Sequence, residues 1–143
     1  MSFNKLTVKM QEAIQVALEI ASDFNHAELN GAHTLLALLR QDGGLAQPLF
    51  EKVGVHSDAL QQSVKDYLER QPKIQNPVSN PQMGRELNDL LREADKQRTS
   101  LSDEFISVEH FLLALVKVRT PVQDLLTNAG VSEKALREAL KDV

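Results

Sequence analysis

The heptapeptide His33-Thr34-Leu35-Leu36-Ala37-Leu38-Leu39 returns 77 positions later as His110-Phe111-Leu112-Leu113-Ala114-Leu115-Val116. An internal repeat constrains a chain more than local propensity does, because each copy must bury the same apolar face in the same way. The correspondence runs beyond seven residues. At the same offset Met10 matches Leu87, Ala13 matches Leu90, Ile14 matches Leu91, Ala17 matches Ala94 and Leu29 matches Ile106. Downstream the offset falls to 76, a one-residue deletion in a loop. There Leu49-Phe50 matches Leu125-Leu126, Gly54-Val55 matches Gly130-Val131 and Ala59-Leu60 matches Ala135-Leu136. One motif of roughly 65 to 70 residues is used twice.

Each copy reads as helix, helix, short helix, helix. Thr7 is a good N-cap, since its hydroxyl accepts from a free N–H one turn on. Behind it Met10, Ala13, Ile14, Ala17, Leu18 and Ala21 recur at three- and four-residue steps, one stripe of a helix. Asn30 caps the second helix and Ser107 its counterpart. That helix is apolar almost all round, which marks it as central and buried. Leu45 to Val53 is a short third helix with Pro48 near its first turn and Gly54 as a left-handed C-cap. Its counterpart opens at Thr120-Pro121 and ends at Gly130. Ser57 caps a fourth helix carrying Leu60, Val64 and Leu68, matched by one from Ser132 carrying Ala135, Leu136, Ala139 and Leu140. A fifth helix runs from about Met83 to about Thr99. Pro72, Pro77 and Pro81 fall in the connector Gln71 to Gln82, where Ile74 and Val78 offer apolar anchors. No segment alternates with period two, so no sheet is expected. The whole chain, 1–143, reads as one domain, with repeat one at about 3–70, the connector at about 71–82 and repeat two at about 83–143.

Composition narrows the function. With 143 residues the chain can bury a real core, and with 4% aromatics and no Trp that core is aliphatic. A net charge of −4 and no Lys/Arg block argue against a general nucleic-acid surface. Zero Cys removes disulfides, thiolate metal sites and a Cys nucleophile, which fits a reducing, cytoplasmic setting. No apolar run approaches the ~20 residues of a membrane span, and residues 1–30 lack a signal-peptide core.

Catalytic motifs are missing. No G-x-x-x-x-G-K-[ST] occurs, so the chain has no phosphate loop and is not itself an enzyme. His33 and His110 stand in the first turn of equivalent helices. No Asp/Glu/His cluster accompanies both, so they read as side chains that bond a loop or cap their own helix start, and no metal is assigned. Asp103, Glu104 and Glu109 cluster around the start of the sixth helix. They read as helix N-terminal charges or as an exposed patch that contacts another protein.

The duplicated H-x-L-L-A-L helix, the Gly-Val after each third helix and the Pro-rich connector resemble the N-terminal domain of Clp-type AAA+ unfoldases, over essentially the whole chain. Leu6-Thr7, Gln41-Asp42-Gly43-Gly44, Gln71-Pro72-Lys73-Ile74 and Asp103-Glu104-Phe105-Ile106-Ser107-Val108-Glu109 are most similar to the ClpB disaggregase branch. The resemblance implies an all-α, pseudo-twofold eight-helix domain of two tandem four-helix repeats. It implies a piece of a longer protein whose ATPase modules bind ATP and Mg²⁺ and assemble as a hexamer. The partners it implies are unfolded or aggregated polypeptide, handed on to the ring, with neither nucleic acid nor membrane. Thr7, Asp103 and Glu109 match family positions associated with substrate handling. The family's groove lies beside the first and fifth helices, where Glu93, Gln97 and His110 stand at positions that related domains can fill with leucine. The alternative is an adaptor-docking domain of the ClpA/ClpC type.

Overall fold

The structure, a computed structural model, describes residues 3–75 and 80–142. Among them the chain forms eight α-helices: α1 (Val8–Asp23), α2 (Gly31–Leu39), α3 (Ala46–Val53), α4 (Ser57–Glu69), α5 (Arg85–Ser100), α6 (Val108–Lys117), α7 (Pro121–Asn128) and α8 (Glu133–Lys141). A single 3-10 turn, Phe3–Lys5, precedes them. None of these helices is long and apolar enough to cross a membrane.

Helix starts follow local chemistry. The Thr7 hydroxyl accepts from the Met10 N–H at 3.2 Å, and α1 then buries Met10, Ala13, Ile14, Ala17, Ile20 and Ala21. Thr120 caps α7 over Pro121, and Ser132 caps α8. Gly54 and Gly130 hold φ of 99° and 93°, the left-handed region that a Cβ disfavours, and let the chain turn out of α3 and α7. Ser57 differs from expectation. His56 is the N-cap of α4 and offers no side-chain bond, while Ser57 is the first helical residue and its hydroxyl accepts from Gln61 at 3.2 Å. α4 thus starts on the packing of Leu60, Val64 and Leu68 rather than on a side-chain cap.

Every residue of α2 is buried, as are Val108 and the run from His110 to Leu115 in α6. These two helices are the centre of one continuous aliphatic core, to which Phe50 and Phe111 contribute the largest side chains. α1 and α5 pack along α2 and α6 respectively, α3 meets α8, and α4 meets α7, so the two halves close on each other in pseudo-twofold fashion.

Two short parallel pairings exist where no sheet was expected. β1 (Glu28–Leu29) pairs with β2 (Gln82–Met83), and Leu6 bridges Ile106. Two residues are too few to show a period, which is why the pattern gave no sign of them. The pairings are equivalents under the repeat. Thr7 N donates to Ile106 O at 2.9 Å, and 77 positions on Gly84 N donates to Leu29 O at 3.1 Å. Each half therefore lends the segment before its first helix to the other half. Met83 belongs to β2, so α5 starts at Arg85 instead of near Met83. In the connector, Ile74 is exposed on its side chain and held through its N–H to Asn25 O at 2.7 Å. Pro77 and Val78 lie outside the described residues.

Candidate functional site

The loops before α2 and α6 are built alike. Asn25 and Ser102, equivalent under the repeat, both take positive φ, 58° and 60°. A left-handed residue other than Gly costs energy, and the position recurs because it aims the next side chain at the helix start. In the first half that side chain is His26, whose Nδ1 lies 2.8 Å from His33 Nε2. In the second half it is Asp103, whose Oδ2 lies 2.7 Å from His110 Nε2. The other ring nitrogen decides the tautomers. His33 Nδ1 accepts from Asn30 N–H at 3.0 Å, and His110 Nδ1 accepts from Ser107 N–H at 2.8 Å. A nitrogen that accepts from a backbone N–H carries no proton, so Nε2 is the donor in both rings. Each histidine closes the backbone arm of a capping box, the role expected of it.

The consequences differ between halves. His33 is buried against a second histidine, and burial first, then His26, holds its pKa down to about 4. His26 is likewise lowered, chiefly by burial. His110, also buried, donates instead to a carboxylate whose side chain is 48% exposed, so Asp103 is anchored at one oxygen and open to solvent at the other.

Asp103 and Glu109 share a surface cleft of about 430 Å³, completed by Leu101, Leu113, Arg137, Leu140 and Lys141. Glu109 is half-buried and accepts from the Ser107 hydroxyl. Thr7 lies outside that cleft lining. Its hydroxyl is committed to Met10, and its backbone joins Ile106, midway between the two acids in sequence. Apolar side chains stand exposed around this junction: Val8 at 69%, Leu101 at 46% and Phe105 at 45%. On the α5 side, Arg137 donates to Gln97 at 2.8 Å and Gln97 to Glu93 at 2.8 Å. Glu93 and Gln97 thus tie α5 to α8 as a polar chain, with Gln97 buried.

The family model of the Clp repeat (R) N-terminal domain matches residues 5–129. The chain belongs to the Clp N-terminal domain family. It is 41% identical over 138 residues to the chaperone protein ClpB of Mycobacterium leprae, covering 96% of this chain and 16% of the relative. It is 38% identical over 143 residues to the ClpB of Pseudomonas putida, covering all of this chain and 17% of the relative. The chain therefore spans about a sixth of the length of these relatives. Among solved structures, the Hsp104 N-terminal domain from Candida albicans superposes with a TM-score of 0.82 at 20% identity, covering 94% of this chain and 88% of that one.

Among the described residues of this Clp N-terminal domain, one cluster has metal-ligand composition. Ligand atoms of Asp103, Glu109 and His110 lie within 4.8 Å of one another. His110 is already spent on Asp103, and Glu109 accepts from Ser107. His110 Nε2 holds the proton given to Asp103, and moving it to Nδ1 would set N–H against the Ser107 N–H. A cation on His110 would break the start of α6. The walls from α8, Arg137, Leu140 and Lys141, were not foreseen from sequence. The His110 grip on Asp103 was foreseeable in principle, since the repeat places residues 26 and 103 at one position.

Proposed function

We propose that this chain is the client-engaging N-terminal domain of a ClpB-like disaggregase. It binds unfolded or aggregated polypeptide and passes it to ATPase modules elsewhere in the full-length, cytoplasmic protein. ATP and Mg²⁺ act there, on a hexameric ring. The observation that carries the reading is a cleft holding Asp103 and Glu109 with the exposed Leu101 in its wall, together with the exposed Val8 and Phe105 next in sequence to the paired Thr7 and Ile106. Unfolded chains expose apolar side chains together with unpaired backbone N–H groups. The first set covers apolar area at about 25 cal/mol per Å². The solvent-facing carboxylate oxygens accept from the second. Each contact is small, so binding is weak and tolerant of sequence, as suits a client that must be released. Thr7 serves by fixing the start of α1 against Ile106.

The test separates charge from fold. In D103N the carboxamide oxygen still accepts from His110, and in E109Q it still accepts from Ser107. The ¹⁵N-labelled domain is titrated with a reduced, amidomethylated unfolded protein. Weakened shifts in D103N/E109Q at unchanged melting temperature support the reading. Undiminished binding sinks it, as does binding confined to folded adaptor proteins, which would favour the ClpA/ClpC-type role.

A further inference from the structure

Two bonds in the sequence join an Asn or Asp to a following glycine: Asn30-Gly31 and Asp42-Gly43. Such pairs share one chemical weakness. The glycine amide nitrogen can attack the Cγ of the preceding side chain and close a five-membered succinimide. No Cβ on the glycine obstructs the approach, and its backbone turns freely. Asn is the faster of the two at neutral pH, because an Asp side chain is then a carboxylate and a poor electrophile. Sequence alone therefore points to Asn30. The structure reverses that order.

The peptide plane between Asn30 and Gly31 is held at both ends. The Asn30 carbonyl accepts from the Thr34 N–H at 3.3 Å and from the Thr34 hydroxyl at 3.1 Å. The Gly31 N–H donates to Glu86 Oε1 at 3.0 Å. The Asn30 side chain serves the capping box with His33. Gly31 is itself buried against Leu90. Swinging its nitrogen toward the Asn30 Cγ would undo the start of α2, a helix with every residue buried. An opening of that kind costs nearly as much as global unfolding.

Asp42 and Gly43 are both exposed, in the turn between α2 and α3. One bond closes the turn, from the Gly44 N–H to Gln41 O at 3.3 Å. The peptide plane inside it is held at neither end. Among the described residues, neither the Asp42 carbonyl nor the Gly43 N–H has a hydrogen-bond partner. Gly43 takes a φ of 66°, and a Cβ there would meet nothing within 4 Å. Such a loop rearranges at little cost. Nor does the fold require the pair. The second half makes the same helix junction with one residue fewer, Arg119-Thr120 against Asp42-Gly43-Gly44.

We propose that Asp42 is the site at which the folded domain forms isoaspartate, and so becomes a substrate for an S-adenosylmethionine-dependent isoaspartyl carboxyl methyltransferase. The Gly43 nitrogen gives up its proton and bonds to the Cγ of the protonated side chain, whose hydroxyl leaves with that proton as water. A water then adds at the former main-chain carbonyl of Asp42 and breaks its bond to the Gly43 nitrogen, which takes back a proton. The chain now runs through Cβ and Cγ, and the freed carboxylate sits on Cα. One water is lost and one gained, so the mass is unchanged. The enzyme moves the methyl group of S-adenosylmethionine onto that carboxylate. The extra methylene in the main chain stands next to Gln41, whose Nε2 donates to Lys9 O at 2.7 Å and ties the turn to α1. Asp42 lies outside the lining of the Asp103 and Glu109 cleft, so the site is independent of the client surface proposed above.

The test ages the chain at neutral pH and physiological temperature, folded in buffer and unfolded in guanidinium chloride. Isoaspartate is counted by methyl transfer from radiolabelled S-adenosylmethionine with an isoaspartyl methyltransferase. Electron-transfer fragmentation of the peptides places it, and conversion of Asn30 shows as the mass gain of an amide turned acid. In the folded chain isoaspartate should accumulate at Asp42 while Asn30 stays intact. In the unfolded chain Asn30 should convert first. D42E, which would have to close a six-membered ring, should lose nearly all methyl uptake when aged folded. Its melting temperature should be unchanged, because the side chain is exposed. The proposal is overturned if Asn30 converts ahead of Asp42 in the folded chain. It is overturned equally by isoaspartate no more abundant at Asp42 than at Asp58 or Asp124, which precede larger residues, or by undiminished methyl uptake in folded D42E.

Discussion

Replacing His33 by Gln tests the tautomer argument through stability. In the folded chain His33 is neutral, with a pKa of about 4 against 6.5 for the free side chain. Protonation requires a proton on Nδ1, where the Asn30 N–H already points, or a charge beside His26. The sign follows from proton counts. Between pH 6.5 and 4 the unfolded chain binds more protons at this site than the folded one. Stability is therefore complete above the upper value and is lost as pH falls through the window. Two and a half pKa units correspond to about 3 kcal/mol at the acid limit. At pH 7 the loss is about 0.2 kcal/mol, and at pH 5 about 2 kcal/mol. H33Q keeps an acceptor for Asn30 N–H, the residue usual at that place in a capping box, but cannot titrate. Urea unfolding followed by circular dichroism is measured for both proteins from pH 7.5 to 4.5. The other ionisable groups are common to both and cancel in the difference. The parent should lose about 2 kcal/mol relative to H33Q between pH 7 and 5. Parallel curves would refute the buried neutral histidine, and a parent that gains on H33Q in acid would refute the sign.

Three further outcomes are expected. Leu36→Ala and Leu113→Ala should each cost about 2–5 kcal/mol in denaturant melts, because both side chains sit at the centre of a fully packed helix. A neutral result for either would mean its helix is not central. Gly31→Ala should destabilise by about 1–3 kcal/mol, since its Cβ would lie 2.6 Å from Leu90 Cδ1, deep in the core and hemmed by Leu115. Unchanged thermal stability would show that α5 can shift to admit it. ATP with Mg²⁺ should give no saturable heat by calorimetry, for want of a phosphate loop.

The helices were legible because their signals are local and redundant. Thr7, Thr120 and Ser132 cap the helices they precede, Gly54 and Gly130 turn left-handed, and both H-x-L-L-A-L runs are buried. The misses have one physical origin: they depend on what a residue meets across space. Ser57 has cap chemistry, but the chain enters α4 through His56 and carries the serine inside the first turn. The strand pairs join residues far apart in sequence and are too short to pattern. The candidate site was legible in half. Asp103 and Glu109 do share a cleft, whereas its far wall comes from α8, and Thr7 lies outside that lining with its backbone bonded to Ile106. In the sequence His33 and His110 are equals; only their neighbours at positions 26 and 103 make one a buried histidine pair and the other an anchor for an exposed acid.

The exchanged segments bear on how such a chain assembles. Joining Leu6 to Ile106 closes a loop that spans most of the sequence, and joining Leu29 to Met83 closes a shorter one nested within it. Helices form early and locally, while contacts this distant carry the larger entropic toll and set the pace of the last step. A chain holding one half alone would keep a lending segment and a receiving edge with no partner for either. Two such chains would satisfy both at once by the same twofold exchange, as an isologous dimer. The tandem chain is that dimer made covalent, with the connector removing any dependence on concentration.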